Sequence, residues 1–333
     1  MKHVTALLER AGLSTAFTLS PVKGGGNNRV WKLKRKEGSL LLKQYFHHPG
    51  DPRDRFGAER SFYKFLQAQG IDRVPTPIAW DAANRLALFE YIEGRKLLPG
   101  GINRKRVDEA LEFYRLLNHH KEASSGRSLA SASEACFSIA KHLDCIEVRV
   151  RRLEQIHPSS KMEGDVARFV ARQLKPSWER ICDTIWGGER AMDCKHDALL
   201  PANARRISPS DFGFHNAIVA RDGRLRFFDF EYAGWDDPAK TVCDFFCQRA
   251  VPVPFRFWKV FLDVLARGDP FLKKRACLLL PAYRIKWCCI MLNEFVTVSR
   301  VRRQFAGSGP IPESRRRAQL VRAQNFLSHP KKP

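Results

Sequence analysis

The last quarter of this chain has few carboxylates. Residues 245–333 hold 18 Lys and Arg against only 4 Asp and Glu, a surplus of 14 within a total of +23. Such a surface disfavours cationic partners and suits anionic ones: phosphorylated small molecules, anionic glycans, a lipid surface or nucleic acid. The chain also has no apolar run fit to cross a membrane. Its most apolar late segment, "ACLLLPAYRIKWCCIML", is interrupted by Pro281, Arg284 and Lys286, whereas a span needs roughly 20 mostly apolar residues. A leader peptide is not expected either, because Glu9 and Arg10 interrupt the first segment. Val4, Leu7, Leu8 and Ala11 there fall at the spacing of an amphipathic helix instead. There is no Cys-x-x-Cys pair among the nine cysteines, and neither Cys194-x-His196 nor Cys243 with Cys247 has the further ligands a zinc site needs. These points predict reduced, buried thiols in a cytoplasmic protein.

What is present reads as two parts of different character. "AFTLSPVKGGGNNRVWKLKRKEGSLLLKQYF" (residues 16–46) predicts a strand, a glycine-rich loop, a strand, a turn at Glu37–Ser39 and a third strand. A helix is expected over about 54–69, where Phe56, Phe62, Phe65 and Leu66 keep helical spacing. Residues 85–94 read as a buried strand and a connector. From about 102 to 190 the pattern is helical, with "HPSSKMEGD" as a loop. Short strands follow at 204–231, with a hairpin turn at Arg221-Asp222-Gly223. Asp237-Pro238 reads as a helix cap followed by proline at the first helical position. Helices fill most of the rest, to a break at 306–312. The tail helix "ESRRRAQLVRAQNFL" is expected to turn Leu320, Val321 and Phe326 inward. The expectation is an α+β, bilobal fold, a strand-rich lobe (1–92) and a helical lobe (93–333), with a cleft between them.

Within "DFGFHNAIVARDGRLRFFDFE" (residues 211–231) Asp-Phe occurs twice. Phosphoryl transfer needs a loop to cradle phosphates, a lysine to hold them, oxygen ligands for Mg²⁺ and an aspartate to take the proton of the attacking hydroxyl. Were Asp211-Phe212-Gly213 the metal motif, His196-Asp197 and Asn203 would have to form the catalytic loop. Only seven residues then separate Asn203 from Asp211, too few for the hairpin that must join them. The other assignment fits: Asp211 as base, Asn216 five residues on, then a hairpin over 217–228 that returns Asp229 beside Asn216. An amide and a carboxylate oxygen suit Mg²⁺. Upstream, Gly24, Gly25, Gly26 and Asn27 form the candidate phosphate loop, which is no Walker loop because no Gly-Lys-Ser/Thr follows. Lys43 lies one hairpin later, and Glu59 on the next helix is placed to pair with it.

These segments, with "GAERSFYKFL", "LFEYIEG" and "FFDFEYAGWDDPAKTVCDF", resemble the aminoglycoside phosphotransferase/choline kinase family over about residues 18–246. The resemblance implies a protein-kinase-like fold and an ATP- and Mg²⁺-dependent transfer to a small-molecule hydroxyl. It implies Asp211 as base, Asn216 and Asp229 on Mg²⁺, Lys43 on the ATP phosphates and paired with Glu59, and the loop from Gly24 to Asn27 over them. It further implies that Glu90, Tyr91 and Ile92 offer backbone groups to adenine, and that Asp237 and Asp244 are structural. One position departs: Pro209 stands where the family usually has a His two residues before the base, which puts the loop geometry in question.

Phe212, Phe214, Trp235, Tyr283 and Trp287 are candidates for the acceptor wall, against the ordinary role of aromatics in a core. The basic bias predicts a neutral or anionic acceptor, such as a sugar or a glycan-related compound. The alternative is a catalytically weak, nucleotide-binding interaction module. Its contact with an anionic partner or membrane surface would be the basic C-terminal region; nucleic acid is not the expected partner.

Overall fold

The structure is a computed structural model and describes residues 1–22, 26–119, 124–191, 198–267, 269–296, 303–307 and 311–329. The amino-terminal part is an antiparallel five-stranded sheet in the order β1-β2-β3-β5-β4. Its strands are β1 (Thr18–Pro21), β2 (Arg29–Arg35), β3 (Gly38–Gln44), β4 (Pro77–Asp81) and β5 (Leu86–Glu90). Side chains alternate across a strand, and here the alternation separates two jobs. Leu40 and Leu42 of β3 join Leu33, Leu86 and Leu88 in a small core under α1 (Lys2–Arg10), which supplies Val4, Leu7 and Leu8. Leu41 and Lys43 line the cleft on the other side. Helix α2 (Arg55–Ala68) follows, its first turn capped by the Asp54 carboxylate, which accepts from Gly57 N at 3.0 Å. The turn between β2 and β3 is Lys36-Glu37, one residue earlier than expected. Gly38 is already paired with Arg35 and adopts φ +136°, which favours glycine.

Beyond Glu90 the chain makes β6 (Gly94–Lys96), then mainly helices: α3 (Arg104–His119), α4 (Ser124–Arg127), α5 (Ile139–Glu154), α6 (Lys161–Phe169) and α7 (Lys175–Ala191). The expected loop at 157–165 is shorter than predicted. Ser160 caps α6 by accepting from Glu163 N, so the helix starts inside the polar stretch. A π-helical turn, Val170–Leu174, joins α6 to α7 just before Pro176. Proline lacks an N–H and its ring crowds the carbonyl four residues back; the wider turn absorbs both defects.

Strands β7 (Arg206–Ser208) and β10 (Gly234–Asp236) pair, while β8 (Ala217–Ala220) and β9 (Leu225–Phe227) form the expected hairpin, with Gly223 at φ +77° in its turn. β6 adds to the outer edge of β8. Three more helices follow: α8 (Pro238–Cys247), buried along its whole length, α9 (Trp258–Leu265) and α10 (Pro270–Met291), which runs through Pro281 unbroken. The tail helix α11 (Glu313–Ser328) packs on α10 with Leu320, Ala323 and Phe326 buried. Val321 is 46% exposed and does not face inward as expected. Eight described cysteines are all free. Among the described residues no helix is long and apolar enough to cross a membrane.

Behind the cleft runs a ladder of aromatic rings. Phe62 of α2 packs on Phe230 (4.9 Å between centroids), and Phe113 lies over Phe227 (4.6 Å). Phe212 meets Phe245 (5.1 Å), and Phe245 stacks on Phe261 (4.5 Å). Phe212 and Phe230 follow the two aspartates directly. Each aspartate is therefore anchored to the same rigid core by its neighbour.

Candidate active site

Lys43, Glu59 and Asp229 come together in the cleft. The Lys43 ammonium donates to Glu59 Oε2 and to Asp229 Oδ1, both at 2.6 Å. Burial alone would lower its pKa, but the charges of Asp229, Glu59 and Glu231 outweigh that and hold it above the usual lysine value. The other oxygen of Glu59 accepts from Phe230 N at 3.0 Å. One carboxylate thus ties α2, β3 and the segment after β9 to one point.

Asp229 sits at φ +70°, a conformation that a residue with a Cβ holds only under constraint. The constraint is visible: the hairpin closes through Phe228 N to Asn216 O at 3.1 Å, and the Lys43 pair fixes the carboxylate. The hairpin returns the chain to Asn216 as the spacing predicted. Asn216 donates from its amide nitrogen to Asp211 O at 3.0 Å and to Asp211 Oδ2 at 3.1 Å. Its amide nitrogen is thus engaged, and the amide oxygen is the atom that could bind a cation. With the Asp229 carboxylate it makes a pair of hard oxygen donors of the kind Mg²⁺ takes.

Ser210, before Asp211, also has positive φ, at +66°. Its N–H donates to Ser208 Oγ at 3.0 Å, and that hydroxyl is 3.0 Å from Thr241 Oγ1 on α8. Asp211 N reaches back to Pro209 O at 2.9 Å. The loop that carries Asp211 is therefore built locally, with Pro209 inside it. Burial would raise the pKa of Asp211, but the His215 charge and hydrogen bond, then Asn216 and Lys286, hold it below the usual carboxylate value. His215 shifts the opposite way: burial would lower it, and Asp211 raises it.

Of the glycine-rich loop, Gly24 and Gly25 lie outside the described residues, as do His196 and Asp197. Gly26 and Asn27 line a first cavity, of about 270 Å³, together with Lys43, Glu90, Tyr91 and Ile92. Glu90 turns its own carboxylate to Thr76, accepting from N at 3.2 Å and Oγ1 at 3.0 Å. Lys32 lies 3.9 Å above the Tyr91 ring. Glu231, which carried no specific role in the sequence reading, anchors the far end of the loop. It accepts from Asn27 Nδ2 at 2.6 Å and from Asn28 Nδ2, while Asn28 Oδ1 accepts from Phe46 N at 3.0 Å. Burial and the Asp229 charge raise the pKa of Glu231. The signal for it was the pair Asn27-Asn28, amides beside glycines with no evident acceptor.

A second cavity, of about 340 Å³, shares Asn27 and His215 with the first and has Asp211 in its wall. Two of its three carboxylates, all but Asp211, are already matched with cations. Glu134 accepts from Arg149 at 2.6 Å, and Asp244 from Lys286 at 2.8 Å and Trp287 Nε1 at 2.8 Å. Burial would raise the pKa of Glu134, but Arg149, Lys286 and Lys240 bring it to about 2. Of the five candidate wall aromatics only Trp287 lines this cavity. Phe212 and Phe214 are core, Tyr283 is buried against His142 at 2.6 Å, and Trp235 donates to Gly126 O. Asp237 is fully buried behind the loop, whereas Asp244 reaches the cavity wall.

From the first strand into α10, residues 18–272 match the phosphotransferase enzyme family. The chain belongs to that family. Solved structures similar to it include the choline kinase LicA from Streptococcus pneumoniae, 15% identical over 98% of this chain and 99% of that one, TM-score 0.56. Spectinomycin phosphotransferase APH(9)-Ia, in complex with ADP and spectinomycin, is 11% identical over 97% and 98%, TM-score 0.60. A choline/ethanolamine kinase family protein from Mesorhizobium loti is 17% identical over 99% and 95%, TM-score 0.56. At these identities the likeness is one of fold, α+β with the sheet first and the helices after, as in other members of the phosphotransferase family. No match was found among curated proteins.

Proposed function

We propose that this member of the phosphotransferase family moves the γ-phosphoryl group of ATP to a hydroxyl of a small, neutral or anionic acceptor, such as a sugar or glycan-related compound. The observation that carries the reading is the convergence of Lys43, Glu59, Asp229, Asn216 and Asp211 between two adjoining cavities. The division falls between Ile92 and Glu93, with nucleotide held under the sheet and acceptor held among the helices. ADP bound in the spectinomycin enzyme of the same fold supports a nucleotide in the first cavity.

In this reading adenine meets the backbone of Glu90, Tyr91 and Ile92. Lys43, oriented by Glu59, takes the phosphates under the loop of Gly24, Gly25, Gly26 and Asn27. Asn216 and Asp229 hold Mg²⁺, which when bound neutralises charge on the phosphate oxygens. Asp211 accepts the proton of the acceptor hydroxyl as its oxygen bonds to the γ-phosphorus. The bond from that phosphorus to the bridging oxygen breaks, and ADP leaves with the electron pair. A pKa below the usual carboxylate value keeps Asp211 ionised for this role at neutral pH.

The acceptor class rests on the second cavity. Choline and spectinomycin, which the similar enzymes are named for, carry positive charge. Here Glu134 and Asp244 are matched by Arg149 and Lys286, so a cation would have to displace both. Free thiols at all eight described cysteines agree with work in the cytoplasm.

The test is magnesium-dependent ATP consumption against a panel of hydroxylated metabolites, charged and neutral. Asp211→Asn should retain ATP binding and lose about 10²–10⁴ in rate. An unchanged rate removes Asp211 as base, and efficient phosphorylation of a polycationic aminoglycoside removes the acceptor class.

A further inference from the structure

His215 lies between the two cavities and lines both, a position it shares with Asn27. Its Nε2 is 3.1 Å from Asp211 Oδ1, while Asn216 holds Oδ2 at 3.1 Å. The Asp211 side chain is 41% exposed and that of His215 only 19%. Both side chains line the second cavity, and the carboxylate is the more exposed of the two. Two donors of different kinds, one on each oxygen, fix the carboxylate plane.

The imidazole has its own seat. A Cβ at Gly213 would lie 2.7 Å from His215 Nδ1 and 2.8 Å from Cε1, closer than real contacts allow. The Gly213 backbone is extended (φ 175°), a conformation any residue adopts. Its need for glycine is therefore one of space, and the space is taken by His215. Nδ1 is buried and makes no hydrogen bond among the described residues. A ring with only Nε2 engaged has Asp211 as its sole polar anchor, so its placement and that of the carboxylate depend on each other.

We propose that His215 is a positioning residue for phosphoryl transfer: it fixes the Asp211 carboxylate toward the acceptor, and Gly213 exists to seat its ring. The glycine that gives the first Asp-Phe its protein-kinase look then serves the imidazole and no metal. The inference rests on the reading of Asp211 as base.

The experiment follows magnesium-ATP turnover with water as acceptor, and with any hydroxyl compound active in the panel, in the full chain. His215→Ala should lower kcat about 10–100-fold, by more than it changes KM for ATP, since the ring's hydrogen bond goes to the base although it also lines the first cavity. His215→Gln, which can return an N–H near the Nε2 position, should recover part of the loss. Gly213→Ala should lower kcat like His215→Ala. The double variant should be no slower than His215→Ala alone, because the added methyl then meets no ring. An unchanged kcat in His215→Ala, no recovery in Gln, or additive losses in the double variant overturn the proposal. Should Gly213→Ala fail to fold, the Ala and Gln variants at 215 decide it. Asp211→Asn separates the two levels. If it loses rate as expected while His215→Ala keeps the full kcat, only this inference falls. If the unaltered protein turns over no ATP at all, the reading of the site falls and this inference with it.

Discussion

Lys43 is the residue on which the charge balance of the cleft turns. It is buried, and its ammonium is shared by Glu59 and Asp229. Its pKa is raised above the ordinary 10.5, so its contribution to stability is complete below that value and is lost only as pH rises through the folded value. Lys43→Met should therefore destabilise the protein at pH 7 by about 3–5 kcal/mol, because the buried Glu59 and the partly buried Asp229 lose their counter-charge. Urea unfolding of both proteins at pH 7 measures it; equal stability would mean that the ammonium does not neutralise these carboxylates. The pairing of Lys43 with Glu59 was legible because strand, hairpin and helix follow in a fixed order. His215 and Glu231 were not, because each acts through a partner chosen by folding: His215 turns back on Asp211 four residues away, and Glu231 reaches Asn27, 204 residues away.

At the scale of elements, α8 is held by its cap. Asp237 accepts from Ala239 N at 2.8 Å and from Arg275 Nε at 2.7 Å, and lies 3.2 Å from His142 Nε2. Burial would raise its pKa, but His142 and Arg275 bring it from 3.8 to about 2. A depressed carboxylate gives stability that is complete above its unfolded pKa and lost as pH falls through the folded one. Asp237 thus supplies on the order of 2 kcal/mol at neutral pH, lost between about pH 4 and 2. Asp237→Asn should lower stability at pH 7 by about 2–4 kcal/mol, and the two proteins should converge over that acid range in urea titrations. A gap of equal size at pH 7 and pH 2 would remove the linkage. This cap was legible, since Asp-Pro before an apolar run is a local signal. β4 and β6 were not: β6, Gly-Arg-Lys, is exposed throughout and exists only because β8 offers a free edge. The π turn before Pro176 and the passage of α10 through Pro281 were equally hidden, because neighbouring helices hold what proline would break alone.

At the scale of the molecule, the surplus of positive charge raised two readings of the basic tail, a contact arm or a packed helix. Arg284 of α10 donates to the backbone oxygens of Phe326 and His329, and its guanidinium lies 4.1 Å from the Phe326 ring centre. Arg316 crosses to Glu163 of α6 at 3.0 Å, and Arg315 to Glu294 at 3.3 Å. The sequence pattern misplaced Val321 because the buried stripe runs Leu320, Ala323, Phe326, and alanine gives a weak apolar signal. Phe326→Ala should therefore cost about 3 kcal/mol or more, whereas Val321→Ala and Arg322→Ala, both on the exposed side, should stay within about 0.5 kcal/mol. Thermal unfolding of the three variants measures this, with binding to vesicles of anionic lipid as the second readout. A tail that served only as an arm would give the reverse: unchanged unfolding in Phe326→Ala, and vesicle binding lost in Arg322→Ala. The ion pairs and the Arg284 contacts favour the first outcome, because they bind α11 to both α10 and α6.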